Sequence, residues 1–356
     1  MYYVGTDLHK TSITFCVVTV QQNNKIKVVK RQSFATAFGS SIREFLAELG
    51  EFELVVEATA SYEWFLELIE DLADRIVLAH PGKLRVIAES TRKSDKIDAF
   101  VLAEFLARDQ LPEAWRPTPR VRAHRQLVRR RHFVQGRITS VKNRIRHLLA
   151  DHNADLPGLF GTCGLSHTGE KHVQQLELTR TEEFVLEQLL AEFDFFSQQL
   201  KEIEKQLREF AKRATVREQE ARKLLDSVCG VGKVATEVIL SEIGDVRRFS
   251  SQKKVVAYAG LAPGFRESNG KRHDLKITKQ GSKLLRWIMV EVAWSAVRTT
   301  ARWRTVYENL KSRVGNSKKA IVAVARRLLC VIVAVLKSGK PYQHAYGIPE
   351  LEADSE

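Results

Sequence analysis

Three β-rich runs in immediate succession, followed by alternating helical and strand-like runs, occupy roughly the first 110 residues and leave few folds open to them. Residues 2–5, 14–20 and 25–32 are the three runs, and Asn23-Asn24 supplies the turn signal that a hairpin between the second and third requires. Residues 38–49 carry Ile42, Phe45, Leu46 and Leu49 at helical spacing and stop at Gly50. A strand over 52–57, a helix over 62–72, a strand over 75–78 and a helix over 96–108 complete an α/β unit.

Acidic residues recur where these elements end or begin. The first strand leads to Asp7 and the run 52–56 leads to Glu57. In Lys93-Ser94-Asp95-Lys96-Ile97-Asp98-Ala99, two acids sit three apart at the head of an apolar helical run, so both lie on one helix face. Like charges held together are unfavourable unless a cation or a shared proton relieves them. Four carboxylates from two strands and one helix suit one or two hard divalent ions, which take oxygen ligands. The order βββ-α-β-α-β-α resembles the ribonuclease-H-like fold, which places catalytic acids on the first strand, the fourth strand and the last helix.

The charge balance, 57 Lys+Arg against 43 Asp+Glu for a net +14, favours a polyanionic partner. The excess is clustered. After a linker marked by Pro112, Pro117 and Pro119, residues 116–146 hold eleven basic residues and no acid: Arg116, Arg120, Arg122, Arg125, Arg129, Arg130, Arg131, Arg137, Lys142, Arg144 and Arg146. Leu127, Val134, Ile138, Val141, Ile145 and Leu148 keep an apolar stripe, so one face packs while arginines cover the others. Solvated helices normally mix signs, and arginine's planar fork suits phosphate and stacks on unpaired bases.

Residues 151–180 are polar and weakly patterned. From Leu186 a heptad seam runs through Leu189, Phe193, Phe196, Leu200, Ile203, Leu207 and Phe210, either as a hairpin with the 121–150 helix or as an oligomer contact. A third unit begins near Ala221. There Gly230-Val231-Gly232 joins two helical runs and offers backbone N–H groups to a phosphate, without the third glycine or GK[ST] ending of a dinucleotide or Walker site. Four scattered cysteines without a CxxC read as buried thiols of a reducing cytoplasm. Arg326-Arg327 interrupts the apolar run 320–336, which reads as a buried helix and not a membrane span, and Met1-Tyr2-Tyr3 begins no signal peptide.

The block Tyr258-Ala259-Gly260-Leu261-Ala262-Pro263-Gly264, then Glu267-Ser268-Asn269-Gly270-Lys271-Arg272, then Ile277-Thr278-Lys279-Gln280-Gly281-Ser282-Lys283-Leu284-Leu285-Arg286 joins the four acids in a larger resemblance. Together they resemble the transposases of insertion-sequence family one-ten, which include the Piv-type DNA invertases. The resemblance runs from the first strand to Arg326-Arg327-Leu328-Leu329. It implies a RuvC-like N-terminal domain whose DEDD tetrad falls on Asp7, Glu57, Asp95 and Asp98, holding one or two Mg²⁺. It further implies a nucleophilic serine, here Ser268, in a Ser-Asn-Gly context where the family usually has Ser-Gly; Ser282 is a second candidate. A serine hydroxyl needs activation by a base or a metal. Arg266, Lys271, Arg272 and His273 would neutralise a scissile phosphate beside it.

The expectation is therefore α/β plus all-α: residues 1–112 RuvC-like, 113–220 basic helix and coiled coil, 221–346 a mostly helical transposase domain with a helix-hairpin-helix-like element, and 347–356 a tail. The resemblance implies an RNA-guided DNA transposase in the prokaryotic cytoplasm, associated with the nucleoid. Its partners would be donor and target DNA, a structured noncoding guide RNA and further copies of itself, as a dimer or dimer of dimers. Nucleic-acid contacts are expected from Arg122, Arg125, Arg129, Arg130, Arg131, Arg137, Lys142, Arg144, Gly230, Gly232, Lys271, Arg272, Lys279 and Arg286. The alternatives are a metal nuclease acting on branched DNA with water as nucleophile, and a noncatalytic nucleic-acid-binding protein.

Overall fold

The computed structural model of the chain describes residues 1–59, 61–87, 95–154, 158–162, 164–268 and 271–342, with only the backbone at a few of these. Lys93, Ser94, Asn269, Gly270, Cys163 and the expected tail 347–356 lie outside the described residues. The chain forms two compact units, Met1–Arg116 and Pro117–Glu356.

The first unit is built on one mixed sheet. Strands β1 (Tyr2–Leu8), β2 (Ser12–Val20) and β3 (Ile26–Ala35) are followed by helix α1 (Gly39–Ala47), β4 (Phe52–Glu57), α2 (Glu63–Ile69), β5 (Arg75–Ala79), α3 (Pro81–Ile87) and α4 (Asp95–Ala107). The short β1–β2 and β2–β3 connections impose antiparallel pairing, with Asn24 taking the left-handed φ of 61° that asparagine tolerates. The helical crossovers bring β4 and β5 in parallel, giving the order β3-β2-β1-β4-β5. One sheet face is covered by α1 and α2 around Phe15, Phe45 and Phe65. The other is covered by α4, whose Ala99, Ala103, Leu102 and Leu106 meet Cys16, Val18 and Val55. The sequence pattern left residues 79–95 without an element; α3 fills part of that gap, begun by a proline at its first turn, where a missing N–H does no harm.

The second unit is helical around one continuous core running from Val128 to Val335. Its helices are α5 (Pro119–Ala150), α6 (His167–Val173), α7 (Arg180–Lys212), α8 (Val216–Asp226), α9 (Lys233–Ile243), α10 (Gln252–Tyr258), α11 (Lys283–Thr299), α12 (Ala301–Val314) and α13 (Ser317–Ser338). Strands β6 (Pro263–Ser268) and β7 (Lys271–Ile277) form the single hairpin among its described residues. Thr118 caps α5 ahead of Pro119, and Thr179 with Glu182 forms a capping box at α7. These starts launch two helices of 32 and 33 residues, each roughly 50 Å long. They pack antiparallel: Arg131 in the first half of α5 reaches Glu204 in the second half of α7, and His152 just beyond α5 reaches Glu182 in the first turn of α7.

The heptad seam is thus used inside the chain, as the hairpin reading required. Leu186, Leu189, Phe193, Ile203 and Leu207 are buried in it, and Phe210 stacks on His124 with ring centres 4.9 Å apart. Helix α13 lies largely buried against α11 and α12. No helix among the described residues is long and apolar enough to cross a membrane. Cys16, Cys229 and Cys330 are free thiols, and burial pushes all three up from the ordinary thiol value.

Candidate active site

In the first unit the site begins at a glycine. A Cβ at Gly5 would lie 2.0 Å from the carbonyl oxygen of Ala99 and 2.5 Å from the amide nitrogen of Ala103. Only a residue without a side chain lets the α4 backbone rest directly on β1. Residues two apart on a strand share a face, so Asp7 follows Gly5 onto the α4 side of the sheet. Glu57 follows Val55 onto the same side, since Val55 packs with Leu102 and Leu106. Because β1 and β4 are parallel and Thr6 pairs with Val56, Asp7 and Glu57 come at the next register step, at neighbouring strand ends. Helix α4 starts at Asp95, one turn before Ala99.

Asp7 is largely enclosed, its side chain 15% exposed, and His9 Nε2 lies 3.1 Å from its Oδ2. Asp98 is exposed on the first turn of α4, while of Asp95 the backbone alone is described. Among the described residues no three His, Cys, Asp or Glu side chains gather as a metal set. The chemistry of the donors nonetheless fits a hard divalent cation, since every candidate ligand is a carboxylate. His9 escaped the sequence reading; its place two residues after a strand-end acid was the available signal.

In the second unit the region around Ser268 is a strand pair. Ser268 ends β6 and pairs with Lys271, the first residue of β7. The sequence marks such a pair, since Asn-Gly between two extended runs is the strongest short hairpin signal. Side chains of Ser268, Lys271 and Arg272 lie outside the described residues. The base of the hairpin is locked. Thr278 N–H donates to the carbonyl of Ala262, Lys279 N–H to that of Gly260 and Ser282 N–H to that of Tyr258. Gly281, at φ 87°, sits where a Cβ would meet the Tyr258 carbonyl oxygen at 2.1 Å. Lys279 itself has a φ of 55°, and Arg286 Nη1 donates to the carbonyls of Ala259 and Lys279.

Beneath this base lies Glu242, a carboxylate with no exposed side-chain surface. Arg129 grips both its oxygens at 2.9 and 3.1 Å, and the Ser282 hydroxyl donates to it at 3.0 Å. Its hydrogen bonds to the Glu242 carboxylate hold the Arg129 guanidinium above its usual value. The Ser282 oxygen also accepts from the Leu285 N–H, capping α11. Ser282 is therefore committed to a cap and a buried ion pair.

The arginine-rich helix divides by partner. Arg120 pairs with Glu218, Arg129 with Glu242 and Arg131 with Glu204, while Arg125 donates to the carbonyls of Ser241 and Glu242 and Arg122 to that of Pro117. Arg116 belongs to the first unit, paired with Glu63 and Glu70. An acid-free segment thus draws its partners from distant helices, a pairing that local sequence cannot display. Lys142 lies over Phe160 and Phe193, at 4.9 and 4.8 Å, and burial lowers it from the usual lysine value. Arg130, Arg137 and Arg144, seven apart, stay exposed and make no ion pair among the described residues.

Gly230 and Gly232 join α8 to α9 as the helix-hairpin-helix pattern anticipated. Gly230, at φ 84°, allows close approach to α11, since a Cβ would meet the Val292 carbonyl oxygen at 2.6 Å. Gly232 caps α9 with no side-chain acceptor for its first N–H groups.

Residues 4–153 match the family model of the DEDD transposases of IS110, and residues 222–308 match that of the transposase IS116/IS110/IS902 family. A probable family 20 transposase of Pseudomonas aeruginosa is 26% identical over 333 residues, 90% of this chain and 92% of its own. The transposase for insertion sequence element IS1328 of Yersinia enterocolitica is 24% identical, covering 82% of each chain. The pilin gene-inverting protein of Moraxella lacunata is 23% identical over 96% of this chain and 97% of its own.

Proposed function

The chain belongs to the IS110 family of transposases, and from that premise we propose that it is an RNA-guided DNA recombinase that cuts and rejoins strands through a phosphoserine at Ser268. The observation carrying this reading is the convergence of Asp7 and Glu57 at neighbouring parallel strand ends, on the face that α4 covers. A ribonuclease-H-like or RuvC-like first unit is supported by the strand order β3-β2-β1-β4-β5. Asp7, Glu57, Asp95 and Asp98 would hold Mg²⁺, with His9 orienting Asp7 through its ring nitrogen. A divalent ion held there would supply Lewis-acid stabilisation of charge at the scissile phosphate.

Ser268 Oγ forms a bond to phosphorus as the bond to the leaving strand oxygen breaks. The serine proton goes to a base, and the leaving oxygen takes up a proton. Because an ester replaces an ester, bond energy is retained, and attack by a second strand's hydroxyl reverses the step with a new partner. Donor and target DNA and a structured guide RNA would bind the basic surfaces, with Arg130, Arg137 and Arg144 contributing to phosphate contacts. More than a hundred residues separate Asp98 from Ser268, which suits a site assembled from two protomers.

Mixing an Asp98→Ala protomer with a Ser268→Ala protomer tests this. Recovery of strand exchange supports assembly in trans, and its complete absence argues for sites completed within one chain. Cleavage by a Ser268→Ala protein at the wild-type rate would instead favour water as the nucleophile.

A further inference from the structure

A cavity of about 580 Å³ opens in the second unit among α5, α7, α8, α9 and α11. The volume lies within the range of small-ligand sites. Its walls are apolar: Val128 and Leu207 are buried, and Val238 stands on α9 beside them. At its mouth Trp287 is 40% exposed and its ring lies 4.5 Å from that of His132, tilted by 48°. An indole held at an open cavity offers a flat face that is wasted on water.

The electrostatics of the mouth have one sign in excess. Two of the acids lining it are already neutralised, Glu204 by Arg131 and Glu237 by Arg222 and His124. That leaves Asp226 against Arg208, Lys223 and Lys233, all exposed and making no ion pair among the described residues. An apolar aromatic slot with a cationic rim is complementary to a base attached to a phosphate, and not to an apolar peptide side chain. The first turn of α9, without a side-chain cap, borders the same rim.

We propose that this cavity receives one unpaired nucleotide, its base stacked on Trp287 beside His132 and its phosphates met by Arg208, Lys223 and Lys233. The residues that line it include none of the four acids and neither Ser268 nor Ser282. It rests on the nucleic-acid reading above, and it gives the protein a way to hold a base turned out of a duplex or loop. A guide RNA and a DNA strand offer the same chemistry.

The test is equilibrium binding of the full chain to labelled single-stranded RNA and, separately, DNA, each with natural bases and with an abasic backbone. Trp287→Ala is expected to weaken binding about 5- to 150-fold, the usual scale for losing one base–aromatic stack, and to erase the preference for strands carrying bases. Trp287→Phe should keep most of that preference. The larger loss, on RNA or on DNA, identifies the source of the nucleotide. Photocrosslinking with halogenated uracil strands should tag Trp287 or His132. The proposal is overturned if Trp287→Ala melts like the wild type and binds both kinds of strand within twofold of it, or if it alters self-association instead of strand binding. Failure of the wild-type protein to bind either strand at low salt would overturn the nucleic-acid reading itself.

Discussion

Replacing Gly5 with alanine should disable the enzyme without touching any acid. The new Cβ would stand 2.0 Å from the Ala99 carbonyl oxygen, where ordinary contact begins at 3.4 Å, so α4 must retreat by about 1.4 Å. The opposing atoms are backbone, so no rotamer change relieves the clash, and Ala103→Gly should not rescue it. Overpacking of this kind costs about 1–3 kcal/mol. For a unit of this size that is a Tm decrease of roughly 5–15 °C. The retreat also draws Asp95 and Asp98 away from Asp7 and Glu57. A misplacement of about 1 Å in catalytic geometry costs on the order of a hundredfold in rate. Calorimetry and a plasmid strand-exchange assay, run below the variant's melting point, measure the two effects separately. A Gly5→Ala protein with wild-type melting and exchange within threefold of wild type would refute the claim that α4 is seated on β1 to build the site.

Arg129→Ala should lower stability by about 3 kcal/mol, because it strands the fully buried Glu242 carboxylate beneath the β6–β7 hairpin; urea denaturation measures it. Replacing both Arg129 and Glu242 by apolar residues should be milder than Arg129→Ala alone. Glu237 gives a pH dependence. Burial pushes its carboxyl up, but hydrogen bonds from His124 and Arg222 outweigh that and hold it at about 2, against an ordinary value near 4.5. Its contribution, up to about 3 kcal/mol, is therefore complete above pH 4.5 and lost as the pH falls toward 2, so Glu237→Gln should flatten the Tm profile across that window. Asp7→Asn should abolish strand exchange while leaving the fold intact, and chelation of divalent ions should do the same to the wild type; exchange surviving in excess chelator counts against the metal reading.

The first unit was legible because its signals are local. Turn asparagines, a Gly50 helix stop and apolar periodicity each mark an element within a few residues, and Asp7 and Glu57 fall at strand ends that pattern alone can place. The hairpin bearing Ser268 is also marked, by Asn-Gly between two extended runs. What local sequence could not show was where Arg120, Arg125, Arg129 and Arg131 point. Their partners lie about seventy to one hundred and twenty residues away on α7, α8 and α9, so an all-basic segment turned out to be half internal scaffold. The seating of α4 on Gly5 was equally hidden, since a glycine in a strand signals close approach without naming what approaches.

The proposed covalent step is tested directly by incubating the protein, with the RNA that co-purifies with it and added Mg²⁺, with a nicked or suicide DNA substrate, then denaturing and mapping any protein–DNA adduct by mass spectrometry. The account predicts a nucleotide esterified to the peptide containing Ser268, absent in Ser268→Ala and in Asp7→Asn. Cleaved DNA with no adduct, or an adduct on another residue, would contradict it.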